Sequence, residues 1–237
     1  MPVMYMDWTY LLLLPCIVLS LWASANVKST YKRYQSQHSR RGLTAEAAAK
    51  EVLRANGVYD VRFERIAGEL TDHFDPRSNV IRLSDSVYNS TSVSAIGVAC
   101  HEAGHAVQYA QSYFPIRLRA AIIPVTNIGS KLAMPLILIG VLLSSMGQFS
   151  DLLVNLGILC FSLSLVFQLV TLPVEFNASN RALAAIRNSR ILDDEELRGA
   201  RKTLRAAAMT YVAATAVALA QLMRLLILFG GGNRRRR

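Results

Sequence analysis

Two histidines and a glutamate form the most reactive pattern in the sequence. His101, Glu102 and His105 have the spacing H-E-x-x-H. Residues four apart on a helix differ by about 40° in azimuth, so both imidazoles point the same way, one turn apart. That arrangement suits one tetrahedral Zn²⁺, and Glu102 lies close enough to take a proton from a water activated by the metal. A catalytic site of this kind needs a third protein ligand.

The sequence leaves the third ligand open between histidine and glutamate. His38 lies in a polar linker and His73 lies between two predicted strands, and either would complete a His₃ site. Glu175 is the better candidate, because it begins a polar helical segment directly after an apolar run. It would give a His₂Glu set with a fourth position for water. The competing interpretation of Glu175 is a surface carboxylate favoured by the dipole at a helix N-terminus.

The composition indicates a membrane protein. A mean hydropathy of +0.29 with only 18% charged residues is too apolar for an ordinary soluble domain. The net charge of +10 is explained by Lys and Arg that flank membrane spans. These basic residues show no motif that interleaves them with aromatics, so nucleic acid is not expected as a partner. Three cysteines without C-x-x-C spacing are typical of a reducing compartment.

Four apolar runs predict about four hydrophobic helices, at residues 8–25, 132–146, 152–174 and 207–229. The second and third predict a transmembrane hairpin, with a kink or break at Pro173. Basic residues follow the first run and none precedes it. This favours an uncleaved anchor, although residues 23–25 imitate a signal-peptidase site. The fourth run contains Gln221 and Arg224 and precedes four arginines at 234–237, so it is either a span or a re-entrant helix.

The distribution of charge predicts the side of the membrane on which the motif lies. With the N-terminus outside, residues 28–131 and the segment from 175 to 206 both face the cytoplasm. Asp151 is then the only charged residue in the outer hairpin turn, as the positive-inside rule requires. We therefore expect a multi-pass protein of the cell membrane with a cytoplasmic site.

The segment before the motif predicts a small α+β region. Thr44 is a candidate N-cap for a helix over residues 45–55, and residues 61–66 and 80–83 read as two strands that could pair. Residues 89–91 are candidate caps for a helix from about 92 to 110, which carries the motif.

Several motifs together resemble a known family. The H-E-x-x-H pattern, the hairpin and then Glu175-x-x-Ala178-Ser179 resemble membrane zinc metalloproteases whose third ligand is a glutamate on a later helix. More closely, three segments are similar to the YugP-like neutral zinc metallopeptidases: residues 70–77 (LTDHFDPR), 82–84 (RLS) and 173–179 (PVEFNAS). This likeness covers nearly the whole chain.

The resemblance implies a mainly α membrane protein with a zincin-like α+β catalytic region and a short β-sheet beside the H-E-x-x-H helix. It implies one Zn²⁺ held by His101, His105 and Glu175, with Glu102 as general base and acid. In the wider glutamate-zincin pattern an Asp often occupies the place of Ser179 and orients a ligand histidine. Serine can accept the same hydrogen bond but brings no charge.

These predictions divide the chain into five parts. They are an N-terminal transmembrane anchor at 1–27, a catalytic region at 28–131, a transmembrane hairpin at 132–174, a helical region with the third zinc ligand at 175–206, and a hydrophobic helix with a basic tail at 207–237. Because the hairpin separates the two halves of the metal site, we expect that site near the bilayer surface.

The expected reaction is hydrolysis of peptide bonds in membrane or membrane-proximal proteins. The strand at 80–83 could hold an extended polypeptide by strand addition. His73, Tyr109 and Arg181 are candidates to stabilise the oxyanion or bind substrate. The expected partners are this polypeptide and the lipid bilayer.

The main alternative is a non-catalytic membrane scaffold that binds zinc. A structural site needs no acid or base at Glu102 and usually closes its fourth position with Cys or His. Cys100 points about 100° away from His101 on the helix and is a poor fourth ligand. A transporter is less favoured, because the first three apolar runs contain no Asp, Glu, Lys or Arg.

Overall fold

A computed structural model describes residues 8–230, so the predicted basic tail at 234–237 lies outside the described residues. The described chain is mainly helical, with one small sheet, and this confirms the coarse fold prediction. The elements are, in chain order, α1 (Leu14–Gln35), α2 (Ala45–Ala55), β1 (Arg62–Ile66), β2 (His73–Asp75), β3 (Val80–Ser84), α3 (Val93–Ala110), α4 (Phe114–Leu142), α5 (Gln148–Asn188) and α6 (Asp194–Phe229).

Four of these helices are long and apolar enough to cross a membrane. They are α1 with the 3-10 turn before it, α4, α5 and α6. Both hairpin helices are longer than the apolar runs that predicted them. The predicted break at Pro173 is wrong, because α5 continues through this residue. A proline removes only one backbone hydrogen bond, and a long apolar helix tolerates that loss.

The continuity of α5 changes the interpretation of Glu175. This residue lies deep inside the helix rather than at its N-terminus. A favourable dipole at a helix start therefore does not account for the carboxylate. Its side chain is also only 5% exposed. A buried carboxylate requires a partner that compensates its charge.

The described residues divide into two compact units. The first comprises residues 8–22, 118–171 and 211–230. Within it, α4 and α5 approach closely at small residues, because a Cβ on Gly157 would lie 2.8 Å from the Ala133 carbonyl oxygen. Ser150 also donates a hydrogen bond of 2.7 Å to the carbonyl of Gly140. These contacts hold the two predicted hairpin helices side by side.

The second unit comprises residues 23–117 and 172–210 and has α3 at its core. Most of α3 is buried, including residues on several of its faces. The predicted cap of α2 is confirmed, since the Thr44 side chain accepts a hydrogen bond from the Ala47 N–H. The cap of α3 is Ser92, which accepts from the Ala95 N–H, rather than the predicted residues 89–91. The side chain of the capping residue therefore determines where each of α2 and α3 begins.

The sheet of this unit has the strand order β1-β3-β2. The two predicted strands do pair, as β1 and β3, and they run parallel. β2 was not predicted, and it adds antiparallel to the other side of β3. Because β3 is paired on both sides, the prediction that residues 80–83 receive a substrate strand is wrong. The edges of this sheet belong to β1 and β2.

The turn from β2 to β3 is built around Asp75. Its carboxylate accepts hydrogen bonds from the Ser78 hydroxyl at 2.7 Å, the Arg82 guanidinium at 3.0 Å and the Arg77 N–H at 3.0 Å. These three donors hold the pKa of Asp75 well below its usual range, with the Ser78 hydroxyl contributing most. The turn thereby fixes β2 in its place beside α3.

Candidate metal centre

The helices α3 and α5 bring three predicted ligands to one point. Oε2 of Glu175 lies 3.2 Å from Nε2 of His101 and 3.6 Å from Nε2 of His105. Potential ligand atoms of these three residues all lie within 4.8 Å of one another. Within residues 8–230 no other such group of three forms, and His38 and His73 lie outside this one. Of the three candidates that the sequence leaves open, Glu175 is the one that joins His101 and His105 in a group that could hold a metal ion.

The three side chains fit one zinc ion. Tetrahedral coordination with bonds of about 2.0–2.1 Å places neighbouring ligand atoms about 3.3 Å apart. The two nitrogen-to-oxygen distances of 3.2 and 3.6 Å bracket that separation. Two imidazole nitrogens and one carboxylate also form a known catalytic zinc set, which leaves one position for water.

Gly104 allows α3 and α5 to meet at this point. A Cβ on this residue would lie 2.5 Å from the carbonyl oxygen of Ala178 and 3.1 Å from its carbonyl carbon. Both atoms belong to the backbone, so a larger residue would push the helices apart. Gly104 stands directly before His105, and Ala178 stands directly before Ser179. The close approach therefore sets the separation of the two halves of the centre.

Gln108 fixes the orientation of His105. The amide nitrogen of Gln108 donates to the Val174 carbonyl and to Asn177 Oδ1, each at 2.9 Å. Both partners are acceptors, so the orientation of the amide is determined. Its oxygen, 3.0 Å from Nδ1 of His105, must then accept the Nδ1 proton. This tautomer leaves the lone pair of Nε2 directed at Glu175.

Arg181 extends the same hydrogen-bond network away from the metal ligands. Its Nε donates to Asn177 Oδ1 at 2.6 Å, and its guanidinium also donates to Gln111 Oε1. The guanidinium lies over the ring of Tyr113, 5.7 Å from the centroid. Arg181, predicted as a substrate residue, thus contacts the support of His105 rather than the ligand cluster.

Ser179 makes the corresponding contact to His101. Its Oγ lies 3.1 Å from Nδ1, while Nε2 of the same ring faces Glu175. A serine hydroxyl can accept the Nδ1 proton as a carboxylate would, but without a charge. Each histidine therefore has a polar neighbour at Nδ1 and the shared carboxylate at Nε2.

The family comparison agrees with the donor set. Residues 9–230 match the family described as "Putative neutral zinc metallopeptidase". The chain belongs to this family. One relative is "Putative membrane protease YugP" of Bacillus subtilis (strain 168), which is 46% identical over 215 residues, covering 91% of this chain and 93% of the relative. No solved structure matches the chain.

Glu102 of this zinc metallopeptidase family member lies beside the cluster but outside it. Its side chain is buried, and Oε2 accepts a hydrogen bond of 3.0 Å from the backbone N–H of Phe74 in β2. The pKa of Glu102 is raised to about 7, mainly by burial. The charge of His101 and the Phe74 N–H oppose this rise, while Glu175 and Asp72 contribute to it. A divalent cation at the neighbouring cluster would favour the carboxylate form.

The two remaining predicted residues lie near β2. The ring of Tyr109 packs edge-on against Phe74, with a centroid distance of 5.6 Å. His73 is exposed, and its Nδ1 contacts the carbonyl of Thr71 at 2.9 Å.

Cys100 is fully buried and free, and burial raises the pKa of its thiol, so it is a core residue.

Gln108 and Asn177 were not found from the sequence. Gln108 follows His105 by three residues, so it shares a helix face with that histidine, which is a usable signal. Asn177 follows Glu175 by two residues and had no such signal. Its contribution depends on where α5 meets α3.

Proposed function

We propose that the chain is a membrane-embedded zinc metallopeptidase that hydrolyses peptide bonds in membrane or membrane-proximal proteins. The observation that carries this proposal is the convergence of His101 and His105 on the buried carboxylate of Glu175, with Glu102 beside them. Membership of a zinc metallopeptidase family supports the same chemistry.

In the proposed mechanism His101, His105 and Glu175 hold one zinc ion. Zinc in such a site activates water and polarises a carbonyl group. Glu102 accepts the proton of the attacking water and later delivers it to the leaving amine. The backbone N–H of Phe74 holds the Glu102 carboxylate in position for both transfers. Gln108 and Ser179 keep the two imidazoles in the tautomer that binds metal.

The peptide is proposed to bind along the outer edge of β2. Phe74 pairs with Ile81 of β3 in the sheet, yet its N–H is bonded to Glu102 on α3. An extended chain that adds to this edge would therefore pass Glu102. This arrangement, with the edge of the sheet beside the H-E-x-x-H helix, is the zincin-like part of the proposal. Among the three candidate oxyanion donors, Tyr109 is favoured over His73 and Arg181, because its ring packs on Phe74.

We propose a multi-pass membrane location with the site on the cytoplasmic side. Lys and Arg concentrate on the segments between the four apolar runs, as the positive-inside rule predicts. Glu175 follows the apolar segment of α5 within the same helix. A site that depends on this residue lies close to the bilayer surface and favours substrates already near it. We retain the five-part division of the chain as part of this proposal.

A non-catalytic zinc scaffold receives no support from these contacts. A scaffold requires the three ligands, but it has no use for a fourth acidic side chain buried beside them. Glu102 is held by a backbone N–H and is not part of the ligand cluster. This position suits a group that transfers protons.

The test compares purified full-length wild type with Glu102→Gln. Zinc is counted by mass spectrometry, and cleavage of an unfolded membrane protein is followed by gel. The variant should keep about one zinc per chain and lose cleavage by at least about a hundredfold. Glu195→Gln is the matched control, because that side chain is 62% exposed and lies outside the ligand cluster. Full activity in Glu102→Gln would contradict the mechanism.

A further inference from the structure

A basic groove lies between α5 and α6 in the second unit. We call it the α5–α6 groove, and it encloses a cavity of about 660 Å³. Three arginines and three large apolar side chains line it: Arg187, Arg201, Arg205, Phe176, Leu183 and Leu204. No Asp or Glu is among its lining residues. The groove therefore concentrates positive charge beside apolar surface.

The three arginines have no ion-pair partner among residues 8–230. Other arginines of the same unit form ion pairs: Arg40 contacts Asp193 at 2.7 Å, and Arg82 contacts Asp75 at 3.0 Å. Like charges gathered in one concave site create a positive potential that attracts an anion. Three such arginines from two helices line this one groove.

Two asparagines complete the donor set of the groove. Asn180 and Asn188 both line it and lie about two turns apart on α5. Guanidinium and amide N–H groups together match the oxygens of a phosphate group, and arginine binds phosphate with paired hydrogen bonds. The apolar residues Phe176, Leu183 and Leu204 suit the hydrocarbon that a phospholipid carries next to its headgroup.

The groove differs from the site proposed for peptide hydrolysis. Ser179 lines the groove and also contacts Nδ1 of His101. The ligand cluster lies on the opposite, Nε2 side of that ring. The groove therefore borders the Nδ1 side of this ring, and His101, Glu102, His105 and Glu175 are not among its lining residues.

The position of the groove along both helices favours lipid. On α5 its lining residues begin just after the apolar segment that ends near residue 174. On α6 they lie at 201–208, where the last apolar run begins. Arginines at such positions meet the headgroup region of a membrane.

We propose that the α5–α6 groove binds the phosphate-bearing headgroup of an anionic phospholipid. Arg187, Arg201 and Arg205 neutralise the phosphate, and the apolar lining covers the first part of the acyl chains. This inference rests on a membrane location and is independent of zinc chemistry.

The test measures binding of phosphatidylglycerol to the full-length protein. Purified protein in neutral detergent is mixed with phosphatidylglycerol or phosphatidylcholine, and bound lipid is counted by native mass spectrometry. Wild type should bind phosphatidylglycerol preferentially. Each arginine changed to glutamine should weaken that binding about fivefold, and the triple variant should weaken it about a hundredfold. A triple Arg→Lys variant should retain most of the binding, because the charge is kept.

The control removes three exposed arginines elsewhere in the same unit, as Arg54→Gln, Arg77→Gln and Arg190→Gln. It has the same net charge as the groove variant and should bind lipid as wild type does. Equal loss in the two triple variants would show a general charge effect and overturn the groove. Zinc content should stay unchanged in both, which separates this test from that of the peptidase.

Two competitors decide the class of ligand. Inorganic phosphate and a glutamate-rich peptide are each added to the wild type with bound phosphatidylglycerol. Neither should displace the lipid at equal concentration. Displacement by phosphate would assign the groove to a free anion, and displacement by the peptide would assign it to an acidic polypeptide. Either result would overturn the lipid proposal.

Discussion

The side-chain amide of Gln108 joins His105 to the backbone of α5. Its oxygen lies 3.0 Å from Nδ1 of His105, and its nitrogen donates to the carbonyl of Val174, directly before Glu175. One side chain thereby connects His105 on α3 to the segment of α5 that carries Glu175, the proposed third ligand. Such supporting contacts commonly change metal affinity by about 10- to 100-fold.

Gln108→Leu should therefore bind zinc about 10- to 100-fold more weakly than the wild type. Leucine fills similar space but cannot accept the Nδ1 proton or satisfy the Val174 carbonyl. Zinc affinity is measured by competition with a chromophoric chelator. Gln35→Leu, at an exposed position of α1, should bind zinc as the wild type does. Unchanged affinity in Gln108→Leu would show that His105 needs no such support.

Gly104→Ala should destabilise the protein and impair zinc binding. The added methyl would meet the Ala178 backbone at 2.5 Å, and relief requires α3 and α5 to separate. Overpacking of this kind typically costs about 1–3 kcal/mol. The midpoint of thermal unfolding and the zinc content are measured together.

Gly97→Ala is the matched control on the same helix. Its Cβ would lie 3.5 Å from Cβ of Ala200, which is an ordinary contact. Because alanine favours helix more than glycine does, this change should be neutral or stabilising. Equal effects of the two substitutions would contradict the importance of close approach at Gly104.

The turn at Asp75 predicts a pH-dependent contribution to stability. Hydrogen bonds from Ser78, Arg82 and the Arg77 N–H lower the pKa of Asp75 in the folded state below its value in the unfolded chain. Its stabilising contribution is therefore complete above the unfolded pKa of about 3.9 and is lost progressively as the pH falls from there towards the lowered pKa of the folded state. Asp75→Asn should lower the unfolding midpoint at pH 7, and the difference from the wild type should shrink steadily as the pH is lowered below about 3.9. A difference that does not shrink on acidification would contradict this account.

The parts of the second unit that could be predicted from the sequence are those determined by residues close together in the chain. The cap at Thr44 gave the start of α2, and the H-E-x-x-H spacing gave one face of α3. β2 was missed because three residues are too few to show alternation. Its pairing depends on β3, which follows it in the chain. The role of Asn177 was missed because it depends on the contact between helices.

Glu175 could be predicted from the sequence as a candidate ligand, but its position relative to the histidines could not. The residue lies 74 positions after His101, so no spacing rule connects them. Residue type, a preceding apolar run and family resemblance selected it over His38 and His73. The same apolar run suggested a helix start at Glu175, yet α5 passes through Pro173 without a break. The close packing of α3 and α5 at Gly104 brings Glu175 near the two histidines. This packing could not be predicted from the sequence.

Zinc content of Glu175→Ala tests the central claim most directly. The claim is that α3 and α5 together hold one metal ion, with Glu175 as the third ligand. Zinc per chain is measured after purification in chelator-free buffer, beside wild type and Glu195→Ala. We predict about one zinc in wild type and in Glu195→Ala, and little or none in Glu175→Ala while the protein stays folded. Full zinc occupancy in Glu175→Ala would contradict the split metal site.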